Sequence, residues 1–205
     1  MTTLPADRLP ADRLPGDSHP PGDPYAGYVL ALRRLQEAAV SIDIGSQDME
    51  RAAAQLHALA ELLEGSPAYQ ADYVGTRLMS LSSSQGPFSV PWTIHENRAG
   101  YSAGTVRFSR FHHGRGGVAH GGATALLFDE VLGRMSNYPG EPPSRTAYLT
   151  VNYRAVAPIE KDLRVEAGVD RVEGRKKFSS GRLYDGGTLV ADAEALFIAL
   201  KPGQP

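Results

Sequence analysis

Asp129 stands where a carboxylate is expensive. Around it, Ala123, Leu126, Leu127 and Val131 form one apolar stripe at helical spacing, and Ala125, Phe128 and Leu132 form a second. A helix apolar nearly all round is buried on most sides, and a buried carboxylate needs a partner or a task to offset its desolvation. Glu130 has a partner in prospect, because Arg134 follows four residues later, the favourable order for a helical ion pair. Asp129 has none at 125, 126, 132 or 133, and Asp is a poor residue for a helix interior. That makes it the candidate functional acid. Gly121 and Gly122 open the same helix, where backbone N–H groups lack intrahelical acceptors and the dipole favours negative charge. Without side chains, the two glycines let a carbonyl oxygen come close, which is an oxyanion hole in outline. A plain loop-to-helix turn would use the same two residues. A phosphate-binding loop is a weaker reading, since the glycine-rich run 114–122 lacks the Gly-Lys-Ser/Thr ending.

Other chemistries have less support. The chain has no cysteine, which removes thiolate nucleophiles, disulfides and Cys-based metal sites. No Gly-x-Ser-x-Gly elbow supports serine catalysis. His112 and His113 are adjacent, so in extended backbone their rings point to opposite faces and do not share one metal. Charge is nearly balanced, 21 Lys and Arg against 23 Asp and Glu, giving no electrostatic reason to expect nucleic acid. No apolar run is long enough to span a membrane, and the N-terminus reads Leu-Pro-Ala-Asp-Arg twice rather than as a signal peptide. A cytoplasmic location is the default expectation.

The elements that must position these residues follow from periodicity. Residues 1–24 are rich in Pro, Asp and Gly and are expected to be disordered. A helical extension is expected over 25–70. Its first helix runs over 25–42, with Tyr28, Leu32, Leu35 and Ala39 at helical spacing. Its second runs over 48–64, with Leu56, Leu59, Leu62 and Leu63 on one side. Both are expected to pack against the domain at 71–205. That domain has strands at 88–96 and 101–108, a His- and Gly-rich loop at 112–122, and the helix at 121–135. Four strands follow, at 145–153, 162–172, 177–184 and 189–200, the last two joined at Asp185-Gly186-Gly187. Strands, one buried helix and then consecutive strands describe an α+β domain. Trp92 and Tyr153 read most simply as core residues.

His120-Gly121-Gly122-Ala123, with an Asp nine residues after the His, resembles the PaaI-like acyl-CoA thioesterases of the hotdog superfamily. The likeness continues through 146–153, 172–176 and 195–202, so it covers about residues 86–202 in four ordered places and leaves 1–70 outside. It implies a hotdog fold, an antiparallel sheet wrapped around a long central helix. It implies hydrolysis of an acyl-CoA to CoA and a carboxylic acid with no cofactor and no metal. Asp129 would be general base or nucleophile, the Gly121 and Gly122 amides would polarise the carbonyl, and His120 would shape the turn. Thr146 matches a Thr that positions water or the reacting group, one residue further from the acid than in the family pattern. Asn152 and Arg154 fall where the family contacts CoA, and Arg175, Lys176 and Lys177 resemble its basic phosphate-binding turn. On charge alone, that triplet would be a solvated turn. Some relatives carry an Asn six residues before the motif His; here Gly114 stands there, so that role is absent or moved to His112 or His113. A non-catalytic acyl-CoA or acyl-carrier binding protein of the same fold is the alternative.

Helix geometry adds a constraint. Asp129 lies eight residues beyond Gly121, roughly 12 Å along one helix axis at about 1.5 Å per residue. A general base must come within about 3 Å of its proton, directly or through one water. If both groups act on one thioester, Asp129 comes from a second copy of the helix, and a homodimer or higher homo-oligomer with sites at the interface is expected.

Overall fold

The computed structural model describes residues 24–43, 48–65, 89–138, 140–201 and 203–204. The expected disorder of 1–24 therefore falls, but for Pro24, outside the described residues. Helices α1 (Pro24–Ala39) and α2 (Asp48–Glu64) are followed by strands β1 (Trp92–Arg98) and β2 (Tyr101–Arg107), then a short 3-10 turn, Arg110–His112. The third helix, α3 (Gly121–Ser136), precedes β3 (Ser144–Tyr153), β4 (Asp162–Glu173), β5 (Lys176–Asp185) and β6 (Thr188–Ala199). The strands form one antiparallel sheet in the order β1-β2-β4-β5-β6-β3.

Alternation explains how this sheet receives α3. Leu163, Val165 and Ala167 of β4, Leu183 of β5, and Ala191, Ala193, Ala195 and Phe197 of β6 are all buried. They share one core with Leu127, Phe128, Val131, Leu132 and Met135 of α3. The row of small side chains on β6 brings the helix close. A Cβ on Gly181 of β5 would stand 3.0 Å from the Phe128 ring, so that large side chain occupies the space a residue at 181 would need.

The first strand begins later than the spacing predicts, at Trp92 rather than 88. Pro91 lacks an N–H for the ladder, while the tight Ala99-Gly100 turn, with Gly100 at φ 76°, lets β1 run on to Arg98. Trp92 is in the core as expected. The N-terminal helices divide. Among the α1 residues whose burial is described, Val29 is the buried one, one position round from the Tyr28 stripe, and Glu37 reaches the 3-10 turn. By contrast, α2 buries no residue, and Leu56, Leu59, Leu62 and Leu63 stay exposed. No described helix is long and apolar enough to cross a membrane.

Candidate active site

The acid and its neighbour on β3 meet. Thr146 Oγ1 donates to Asp129 Oδ1 at 3.0 Å. Plain alternation along β3 would deny this contact, because Leu149 and Val151 face the core and Thr146 would then face away. A bulge at Ala147 resets the phase: Thr146 pairs with Phe197, Tyr148 pairs with Leu196, and Ala147 is the extra residue. Before the bulge Ser144 and Thr146 reach α3; after it Leu149, Val151 and Tyr153 lie on that side.

At the start of α3, His120 is the N-cap and its Nδ1 accepts the Gly122 N–H at 3.0 Å. An accepting Nδ1 places the proton of a neutral ring on Nε2. The Ala123 and Thr124 amides donate to His120 O. Gly121 is therefore the amide of that turn without an acceptor among the described residues. Of the two expected oxyanion donors, the Gly122 amide is thus capped by its own neighbour. Packing is tight at 122 and ordinary at 121. A Cβ at 122 would lie 3.0 Å from His120 Nδ1, and one at 121 would lie 3.4 Å from the Tyr153 hydroxyl. Tyr153 is not a core residue: it is 56% exposed, and its hydroxyl donates to Gly121 O at 2.8 Å. It joins the site from the end of β3, a position that only the tertiary structure reveals.

Gly114 has no room for a side chain, because a Cβ would sit 2.9 Å from His120 Cα. The His112 ring turns to Ser109, and His113 Nε2 accepts the Gly117 N–H. Among the described residues no three His, Asp or Glu side chains are grouped to hold a metal.

Glu130 reverses expectation. Burial pushes its carboxyl up to about 7, against a hydrogen bond with Ser89 and the positive charge of Arg33, and the neighbouring Asp129 raises it further. One carboxyl oxygen, Oε2, is buried without a partner among the described residues. The groups that act on this acid from outside its helix are Ser89 and Arg33 of α1, rather than the helical ion pair expected with Arg134.

The expected CoA contacts scatter. Asn152 Nδ2 and the Arg154 guanidinium both donate to Asp192 of β6, at 2.8 and 2.5 Å. Arg154 first, then Asn152, hold the Asp192 carboxyl below the usual carboxylate range. Asp192 was not anticipated; once β3 and β6 are paired, it stands directly opposite Asn152. Arg175 donates to Ala199 O at 2.9 Å and Lys176 is exposed. Lys177 does not belong to a solvated basic turn. It is only 6% exposed, and its Nζ donates to Ser136 O at the C-terminus of α3 at 2.7 Å. The favourable dipole end, a carbonyl that it shares with Ser144 Oγ, and an ion pair with Glu141 at 3.2 Å account for that position. Alternation with Ser179, Gly181 and Leu183 would have placed it inside.

Residues 116–191 match the family model of the thioesterase superfamily. A Pseudomonas aeruginosa protein whose name proposes an esterase, PA0474, is 36% identical over 94 residues, 45% of this chain and 70% of that protein. The acyl-coenzyme A thioesterase THEM4 of Mus musculus is 35% identical over 91 residues, 43% of this chain but only 39% of its own length. A solved thioesterase superfamily protein superposes with a TM-score of 0.72 at 26% identity, over 88% of this chain and 93% of that one. The chain belongs to the thioesterase superfamily and has its hotdog fold.

Proposed function

We propose that this protein hydrolyses acyl-CoA thioesters at two equivalent sites of a homodimer. The observation that carries the reading is the Asp129–Thr146 pair, a carboxylate oriented by a hydroxyl at the middle of α3. Thr146 holds Oδ1, and Oδ2 takes the proton from the attacking water. The Gly121 amide of the other protomer receives the developing oxyanion. His120 keeps the Gly122 amide tied back, so the turn is rigid and the carbonyl meets one preset backbone donor. Tyr153, on the Gly121 carbonyl, fixes the same peptide from its other end. The THEM4 relatives, named as acyl-coenzyme A thioesterases, support the substrate class.

Two observations support a two-chain site. The helix runs unbroken from Gly121 to Ser136, so the roughly 12 Å between Gly121 and Asp129 stands. β3 is an edge strand ten residues long, with Tyr148 46% exposed, which is a surface suited to pairing with a second copy. Lys176, with Arg175 beside it, and the Asn152–Arg154 pair are the proposed CoA contacts, and Lys177 is withdrawn from them.

Co-expression tests the reading. Asp129→Ala and a bulky substitution at Gly121 should each be inactive, while mixed dimers should recover one of two sites. Proven heterodimers without turnover would rule out the two-chain site. A wild-type protein that binds acyl-CoA across short, long and aromatic acyl groups but hydrolyses none would leave the binding-protein alternative.

A further inference from the structure

Helix α1 lies outside the residues matched to the family, yet it is bonded to the backbone that leads into the candidate oxyanion turn. Glu37 Oε2 accepts the Arg110 N–H and Oε1 accepts the Phe111 N–H, each at 3.2 Å. These are the leading amides of the 3-10 turn, donors with no acceptor inside so short a helix. One residue on, His112 O accepts the His120 N–H at 2.8 Å. His120 in turn caps Gly122. Five backbone and side-chain groups thus link a carboxylate on α1 to the peptide beside the reacting carbonyl.

The contact around Glu37 is loosely filled. A cavity of about 190 Å³ lies between α1 and the turn, lined among others by Arg33, Glu37, Ser89, Ser109 and His112. The two Glu37 bonds bridge that gap. The Arg33 charge, one helical turn back, acts on both His112 and Glu130, so α1 also lies within electrostatic reach of α3.

We infer that Glu37 is a positioning residue and α1 a strut that fixes the His120–Gly122 turn for catalysis. The inference rests on the reading of that turn as the oxyanion site. The physical reason is geometric. A backbone donor stabilises a developing oxyanion only if it is already in place, and small displacements of such groups are costly in rate.

The test uses the full chain, Glu37→Ala and Glu37→Gln, with steady-state acyl-CoA hydrolysis and hydrogen–deuterium exchange over 109–123, both well below the melting temperature. Ala removes both acceptors, whereas Gln keeps one oxygen. Expected are faster exchange in Glu37→Ala at Arg110, Phe111 and onward to His120–Gly122, a kcat about tenfold lower, and KM within about twofold. Glu37→Gln should lie between that variant and wild type, and it decides on the same readouts if Glu37→Ala does not fold. Unchanged exchange at 120–122, or faster exchange with wild-type kcat, would overturn the inference. If wild-type protein hydrolyses no acyl-CoA, the thioesterase reading fails, and exchange at 120–122 alone still decides whether Glu37 holds the turn.

Discussion

Asp129 and Glu130 are neighbours in sequence and occupy opposite situations. One looks toward the edge of the sheet, where Thr146 donates to it. The other looks toward α1 and Ser89, in surroundings that hold its carboxyl near neutral pH in its protonated form as often as not. A step of one residue turns a helix by about 100°, enough to exchange a wet edge for a dry interface. Burial and apolar neighbours alone would nominate Glu130 as the unusual acid. The geometry instead favours the acid with a hydroxyl partner near the sheet edge, because a general base must meet water. Perturbation of an acid and its use are separate properties.

The largest effect that tests this contrast is Asp129→Ala, which should lower thioester hydrolysis by roughly a hundredfold or more. Acyl-CoA binding should survive, and Glu130→Gln should stay within a few-fold of wild type. Turnover lost in Glu130→Gln and retained in Asp129→Ala would invert the assignment.

Thr146→Val sharpens the same side of the helix. It keeps shape and removes the donor to Oδ1, so kcat should fall by about tenfold with little change in KM. A wild-type kcat would reduce the Thr146 contact to packing.

On the other side, Glu130→Gln should stabilise the protein at neutral pH. The folded-state pKa of Glu130 lies near 7, above its ordinary value of 4.5, so the folded state binds the proton more tightly. Stability from that proton is present at acid pH and is lost as pH rises from about 4.5 through 7. The variant should therefore gain on wild type across that window, by on the order of 1–3 kcal/mol. Thermal melts of both proteins from pH 5 to 8 check it, and a gap that does not widen with pH would contradict the burial of this acid.

The smallest effect belongs to Lys176, which stands in the same contrast with Lys177. Lys176→Ala should raise KM for acyl-CoA by a few-fold without touching stability. Lys177→Ala should cost roughly 1–3 kcal/mol by removing its buried hydrogen bond to Ser136 O and its ion pair with Glu141. Chemical denaturation and kinetics on both variants separate the pair.

The amino-acid pattern by itself determined the element order, the α3 helix with Gly121, Gly122 and Asp129 at set positions along it, and the alternating strands around it. These depend on local periodicity and on interactions a few residues apart. Only the tertiary structure decided which groups meet. The Ala147 bulge carries Thr146 onto the helix side, because one extra residue reverses the facing of everything before it. Register across β3 and β6 couples Asn152 and Arg154 to Asp192, a partner 40 and 38 residues away. Tyr153 left the expected core for the Gly121 carbonyl, and Lys177 entered the core to cap α3. Ser89 and Arg33 of α1 act on Glu130, where a helical ion pair with Arg134 was expected. Each of these depends on long-range pairing and desolvation, quantities that no short window of sequence contains.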